Sequence, residues 1–270
     1  MPILNKDMTL CISLAARPSN IGTRFHNYLY DALGLNYVYK AFAPADLAQA
    51  VAGIRGLGIR GAAVSMPYKE DVIAMVDAMD ASAAAIDSVN TIVNDGGTLT
   101  AYNTDYLAIA RLLAAHKIPA DTSVLLRGSG GMAKAVAAAV RDAGLSDVTI
   151  VARNEEAGRA LAGLYGFAWL PEADGATAQL LINVTPLGMT GPDEGVQSFN
   201  DAQVAASQVV FDVVAVPSET PLVKAARAAG KRVITGAEVI AIQAEEQFVL
   251  YTGVRPSPEL VREASAFSRQ

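Results

Sequence analysis

Residues 123–135 read SVLLRGSGGMAKA, and this stretch decides the fold. A short apolar run, Ser123–Arg127, meets Gly128-Ser129-Gly130-Gly131-Met132-Ala133, a G-x-G-x-x-A pattern that opens an alanine-rich helical segment, Met132–Ala143. A strand that turns through glycines into a helix is a phosphate-binding turn. The first glycine permits the tight turn, the second lets backbone approach a pyrophosphate, and Ala133 keeps the helix close to its strand. The pattern predicts dinucleotide binding by Gly128, Ser129, Gly130, Gly131, Met132 and Ala133.

Downstream, the sequence repeats β–α–β units. Val148–Ala152 reads as a strand, Glu155–Tyr165 as a helix, Leu180–Val184 and Gln208–Val213 as strands, Pro221–Ala229 as a helix and Arg232–Thr235 as a last strand. Such repetition predicts a doubly wound parallel sheet. The second strand ends in Val151-Ala152-Arg153-Asn154. NAD-binding folds usually place an acid here for the ribose 2′-hydroxyl, whereas an arginine suits a 2′-phosphate. Arg153 and Asn154 therefore predict NADP in preference to NAD, with Glu155 and Glu156 assigned to the first turn of the next helix.

Upstream, alternation continues with Thr9–Leu14, Tyr37–Phe42 and Gly61–Ser65 as strands. Arg24–Leu33, Pro44–Leu57 and Tyr68–Met75 read as helices, and Asn90–Val93 and Thr98–Tyr102 as a hairpin turning at Asp95-Gly96-Gly97. Tyr106–His116 reads as a connecting helix, and Glu238–Tyr251 and Pro258–Ser268 as terminal helices. The fold class expected is α/β with two domains. An N-terminal α/β substrate domain with a mostly parallel sheet spans 1–105, and a Rossmann-type doubly wound dinucleotide domain spans 106–237, with helices in 238–270 packing back on the first.

Composition bounds the function. The 270 residues are 52% hydrophobic and 18% charged, as in ordinary globular α/β proteins. A formal charge of −6 argues against a nucleic-acid partner. No stretch approaches the roughly 20 apolar residues of a membrane span. With one cysteine and two histidines, neither a disulfide nor a metal site is expected. A cytoplasmic protein acting on a small-molecule substrate, as a monomer or homodimer, is the expectation.

Three polar residues interrupt apolar sequence ahead of the glycine turn: Lys69 in AVSMPYKE, Asn90 in SVNTIV and Asp105 in AYNTD. Singly, each has an ordinary explanation: a lysine opening an exposed helix, an asparagine in a turn, an aspartate capping the helix that starts at Tyr106. Jointly, an ammonium, an amide and a carboxylate preceding a dinucleotide turn suggest a grip on a hydroxylated substrate.

The segments AVSMPYKE, SVNTIV, AYNTDY, GSGGMAKA, INVTPLGM, FDVVAVPSETPLV and GAEVIAIQAEEQF, in that order, resemble the shikimate/quinate dehydrogenase family, and within it the divergent shikimate dehydrogenase-like branch. The resemblance implies that Lys69 and Asp105 form the catalytic pair and that Asn90 and Gln243 bind substrate. It also places Thr185 and Met189 beside the nicotinamide, and Gly236 near its end. The family's Ser-x-Ser-Pro motif, which holds a substrate carboxylate, falls here on Asn20 and Gly22, and its carboxylate-contacting tyrosine falls on Ala215. Ser13 and Thr23 are the hydroxyls put forward in place of that motif, with Ser19 and Arg17 nearby. Glu238 and Val239 replace a family glycine and methionine. The implied activity is NADP-dependent hydride transfer to or from a secondary alcohol of shikimate or a shikimate-like cyclic polyol. The alternative is a catalytically weak NADP(H)-binding sensor or interaction protein on the same fold.

Overall fold

The structure, a computed structural model, describes residues 4–270 and divides into two compact units, one of residues 4–104 with Ala241–Gln270, the other Asp105–Ile240. The first unit is built on a six-stranded mixed sheet. Its strands are β1 (Thr9–Leu14), β2 (Tyr37–Phe42), β3 (Gly61–Val64), β4 (Ala78–Met79), β5 (Thr91–Asp95) and β6 (Thr98–Tyr102), in the order β2-β1-β3-β5-β6-β4. β1 pairs in parallel with β2 and β3, whereas β5 runs antiparallel to both β3 and β6.

Both faces of this sheet are covered, so strand side chains alternate between two cores. In β1, Ile12 and Leu14 join Val51, Ile54, Val64, Ile92 and Leu99 on one face. Cys11 joins Phe25, Leu29, Tyr30, Tyr39, Phe248 and Tyr251 on the other. That second core recruits α1 (Asn20–Ala32), the distal part of α9 (Gly236–Thr252) and α10 (Pro258–Ser268). The first core takes α2 (Leu47–Gly56), whose N-cap Asp46 accepts a hydrogen bond from Gln49 N at 2.9 Å. A short helix α3 (Ala81–Ala84), capped by Asp80, follows β4.

The second unit carries an all-parallel sheet of β7 (Val124–Arg127), β8 (Val148–Val151), β9 (Ala168–Leu170), β10 (Leu180–Asn183), β11 (Val209–Asp212) and β12 (Arg232–Thr235). Their spatial order, β12-β11-β10-β7-β8-β9, reverses between β7 and β10, the topological switch point at which ligands bind in such sheets. α4 (Thr104–Ala115) leads into the unit, and Tyr106 donates to Asp142 at 2.7 Å, tying it to α5 (Gly131–Asp142). α5 and α6 (Glu155–Tyr165) pack together. α7 (Asp201–Ala206) and α8 (Pro221–Ala228) cover the core of Leu125, Val151, Leu181, Phe199 and Val210. The α/β, Rossmann-type reading is borne out.

Several element boundaries differ from expectation. Residues 68–70 form turns rather than a helix; only Asp71–Met75 is helical, and as a 3₁₀ turn, closed by i→i+3 bonds such as Ile73 N to Glu70 O. α1 begins at Asn20 because Ser19 supplies its N-cap. α4 begins at Thr104, so Asp105 lies inside its first turn rather than capping it. Among the described residues, no helix is long and apolar enough to cross a membrane.

Candidate active site

In the first unit the antiparallel course of β5 gathers chemistry at one sheet edge. β1, β3 and β6 end there and β5 begins there, because Thr91 pairs with Tyr102 and Val64 N donates to Asn90 O. Lys69 sits half-buried in the turn after β3, and its carbonyl accepts from Val89 N at 2.8 Å, one residue before Asn90. Asn90 is almost wholly buried. Its Oδ1 accepts from Thr104 N at 2.8 Å, Thr91 Oγ1 at 2.9 Å and Thr104 Oγ1 at 3.2 Å. Its Nδ2, which carries two N–H donors, has no protein partner. Asp105 follows Thr104 directly and is buried.

Gln243 lies on α9, half-buried. One turn on, on the same helix face, Gln247 donates to Thr91 Oγ1 at 3.0 Å and to Asn90 O at 3.3 Å. Gln247 thereby ties α9 to the Asn90 edge. Sequence reading passed it over, although its spacing of four from Gln243 was a usable signal.

The residues offered for a carboxylate grip behave differently from one another. Ser13, half-buried on β1, shares a hydrogen bond with the Tyr39 phenol. Ser19 accepts from Ile21 N at 3.4 Å as the cap of α1. The Thr23 hydroxyl is buried without a partner. Asn20 and Arg17 are exposed. Beside them His26 stacks on Tyr39, ring centroids 4.4 Å apart and planes within 8°. Its Nδ1 lies 2.9 Å from the Gly22 carbonyl, which requires an N–H at that nitrogen. Burial pushes the His26 pKa down to about 4, because a proton on Nε2 would find no acceptor.

In the second unit a cavity of about 540 Å³ opens at the strand ends flanking the switch point. Gly128 and Ser129 form one wall, Ala152, Arg153 and Asn154 another, and Thr185–Leu187 a third. Gly128 has φ +130°, and a Cβ there would come 2.6 Å from Val184 Cγ2, so only glycine allows this turn to lie against the next strand. Gly130 is the N-cap of α5 and Gly131 its first residue, so no side chain caps the helix start. A Gly-rich turn that borders the cavity and leads into a helix start, with an arginine on the facing wall, fits the phosphates of a dinucleotide. Asn154 lines the cavity, while its Oδ1 accepts from Ala157 N at 3.1 Å as the N-cap of α6. Gly130, Gly131, Met132, Ala133, Met189 and Gly236 do not line this cavity; Ala133 is buried, and Met189 is 45% exposed.

The third wall is held by a buried network that sequence reading did not single out. Asn183 Oδ1 accepts from Thr185 Oγ1 at 2.6 Å and Thr185 N at 3.1 Å, while its Nδ2 donates to Asp212 at 2.9 Å and to Leu187 O at 3.2 Å. Asp212 also accepts from Thr220 Oγ1 at 2.6 Å and Val214 N at 3.1 Å. Burial raises the Asp212 pKa against these hydrogen bonds, which lower it. The available signal was a polar residue ending each apolar strand, LLIN and VVFD. At the start of α9, Glu238 accepts from Thr235 N and Thr235 Oγ1, both at 2.8 Å, and so secures the helix start. A Cβ on Gly236 would meet Val213 O at 2.3 Å, which excludes any side chain there.

Comparison with known proteins agrees with this geometry. The family described as the shikimate dehydrogenase substrate binding domain matches residues 20–92. A shikimate dehydrogenase-like protein of Haemophilus influenzae is 52% identical over 99% of both chains. The NADP(+) shikimate dehydrogenase of Moorella thermoacetica is 37% identical over 95% of this chain and 92% of its own. The structure of the Thermus thermophilus shikimate 5-dehydrogenase, in complex with NADP(H) and shikimate, superposes with a TM-score of 0.85 at 30% identity, covering 97% of this chain and 100% of that one. Full-length similarity at these identities, together with the parallel sheet, its glycine turn and the Asn90 edge, establishes that the chain belongs to the shikimate dehydrogenase family.

Proposed function

We propose that this protein is an NADP-dependent dehydrogenase that oxidises, and in reverse forms, a secondary alcohol of shikimate or a shikimate-like cyclic polyol. The observation that carries the reading is Asn90. Three donors fix its carbonyl oxygen, so the carboxamide cannot rotate, and the buried Nδ2 is left with no protein acceptor. A ring hydroxyl supplies that acceptor, and a rigid donor of this kind positions one alcohol of a diol. Gln243 contributes a second amide to the same grip.

The nicotinamide, when bound, supplies the hydride acceptor. Gly128, Ser129 and the start of α5 hold its pyrophosphate, and Arg153 the 2′-phosphate. Thr185, anchored by Asn183, borders the same pocket. Lys69 and Asp105 handle the proton that leaves the substrate hydroxyl. With Asn20, Gly22 and Ala215 in place of the usual carboxylate grip, the preferred substrate is a polyol whose carboxylate end is altered or absent.

The test combines a substrate panel with one conservative variant. Shikimate, quinate and related cyclic diols are assayed with NADP⁺ and NAD⁺ using the natural protein and Asn90→Asp. Asn90→Asp keeps an oxygen for Thr91 and Thr104 and replaces the N–H donor by a second carboxyl oxygen, which as a carboxylate accepts and carries charge. The expected result is turnover of at least one panel member, with kcat/KM falling about tenfold or more in Asn90→Asp, the scale of one hydrogen bond to a buried group. Tight NADP(H) binding without turnover of any panel member would instead favour the sensor reading.

A further inference from the structure

Arg127 is the last residue of β7, immediately before the glycine turn, and nothing in the foregoing site uses it. It lines the same cavity as Arg153. Its guanidinium is drawn sideways along the strand ends: Nη2 donates to Glu172 Oε2 at 3.2 Å, and Glu172 lies just beyond β9, two strands away from β7. The side chain therefore crosses the end of β8, the strand that leads into Arg153. In this topology the adenosine ribose falls at that position. The guanidinium carbon also lies over the Phe199 ring, 5.7 Å from its centroid, and the buried Nε has no hydrogen-bond partner.

Resting on the assignment of an NADP-type cofactor made above, we propose that Arg127 is a second guanidinium for the adenosine 2′-phosphate and that Glu172 is its displaceable internal counter-ion. Three considerations lead there. The Arg127–Glu172 contact is a partly exposed ion pair at 3.2 Å, with 20% and 48% of the two side chains accessible, and such pairs hold weakly. A phosphate offers more acceptor oxygens and more charge than a carboxylate, so it competes well for the fork of an arginine. The reach of the side chain to Glu172 places its charge away from Gly128 and towards the ribose, which argues against a pyrophosphate role. Glu172 then acts in the opposite sense: its carboxylate repels a 2′-phosphate and accepts from a ribose 2′-hydroxyl. The pair sets the cofactor preference by opposing contributions, and Arg153 does not set it alone.

Calorimetric titration with 2′,5′-ADP and with 5′-ADP, at constant ionic strength, tests this on the full chain. Arg127→Gln weakens 2′,5′-ADP about tenfold and 5′-ADP less than about threefold, as expected for loss of a charge-assisted contact to the 2′-phosphate alone. Arg127→Lys, which keeps the charge, retains part of the 2′,5′-ADP affinity. Glu172→Gln, at an exposed position where folding is not at stake, tightens 2′,5′-ADP several-fold relative to 5′-ADP, which loses a charged acceptor for its 2′-hydroxyl. Equal weakening of both nucleotides in Arg127→Gln, no change in either, or weaker 2′,5′-ADP binding by Glu172→Gln overturns the proposal. Failure of the natural protein to bind either nucleotide would instead remove the dinucleotide assignment itself.

Discussion

The two sheet edges that hold the candidate site residues of this protein are built on opposite plans. In the second unit every strand runs the same way, so every strand end arrives at one side and the cavity opens among loops. That cavity is lined by a glycine turn and by Arg127 and Arg153. In the first unit β5 is inverted, so the edge mixes strand ends with a strand start, and its central group is a side-chain amide sealed from water. Open, charged edges suit a large anionic cofactor that must enter and leave. A buried, rigid amide suits the choice of one hydroxyl among several, because an unmatched partner leaves polar groups unpaired.

If the plans are separable, their failures must be separable too. Lys69→Ala belongs to the first edge and is expected to cut turnover by about 10²–10⁴-fold, the usual scale of a lost acid–base group, while NADP(H) affinity stays unchanged. Steady-state kinetics paired with nucleotide titration checks both halves. Retained turnover would remove Lys69 from the proton path, and lost nucleotide binding would show that the two edges are not independent.

A second break in the comparison is acid. The buried core behind the first edge contains His26, neutral in the fold with its pKa pushed down to about 4. Unfolded, the ring takes a proton near pH 6.5, so below that value the unfolded state binds protons that the folded state refuses. Stability that is fully present above about pH 6.5 is therefore lost as pH falls towards 4, by about 3 kcal/mol in total. Urea unfolding at about pH 7 and about pH 5 measures it, and His26→Gln, which carries no titrating ring, is expected to flatten the difference. An unchanged slope in His26→Gln would assign the acid sensitivity elsewhere.

The contrast between the edges also explains what was legible in sequence. A parallel edge is written in consecutive residues: strand, glycines, helix, then Arg153 at the end of the next strand. Short apolar runs over TLCISL and YVYKAF marked β1 and β2 correctly for the same local reason. The mixed edge is assembled from residues far apart, and its wiring is invisible until the strands pair; the bond that joins Gln247 to Thr91 spans 156 positions. Short elements escaped because few residues carry their signal. β9 has three residues, and α7 was missed although Asn200 and Gln203 form a full capping box. Arg127 could have been noticed as a charge ending an apolar strand at a ligand edge. Glu172 could not, since its partner is 45 positions away.

The smallest expected effect tests the open edge at Asn154, whose side chain has two possible duties. Sequence reading assigns it to the cofactor, while its Oδ1 already accepts from Ala157 N and caps α6. Asn154→Ala removes the cap and is expected to cost about 1 kcal/mol of stability, read as a shift in the urea midpoint. Asn154→Asp separates the two duties. An aspartate caps a helix start as well as an asparagine does and adds a favourable charge to the helix dipole, so stability holds or rises slightly. The same charge sits in the cavity beside Arg153, where it repels a 2′-phosphate and accepts from a 2′-hydroxyl. Affinity for 2′,5′-ADP is therefore expected to fall several-fold relative to 5′-ADP, while the unfolding midpoint does not fall. If instead Asn154→Asp leaves both nucleotides alike, the ribose end lies elsewhere in the cavity, and the cap is the whole of what Asn154 does.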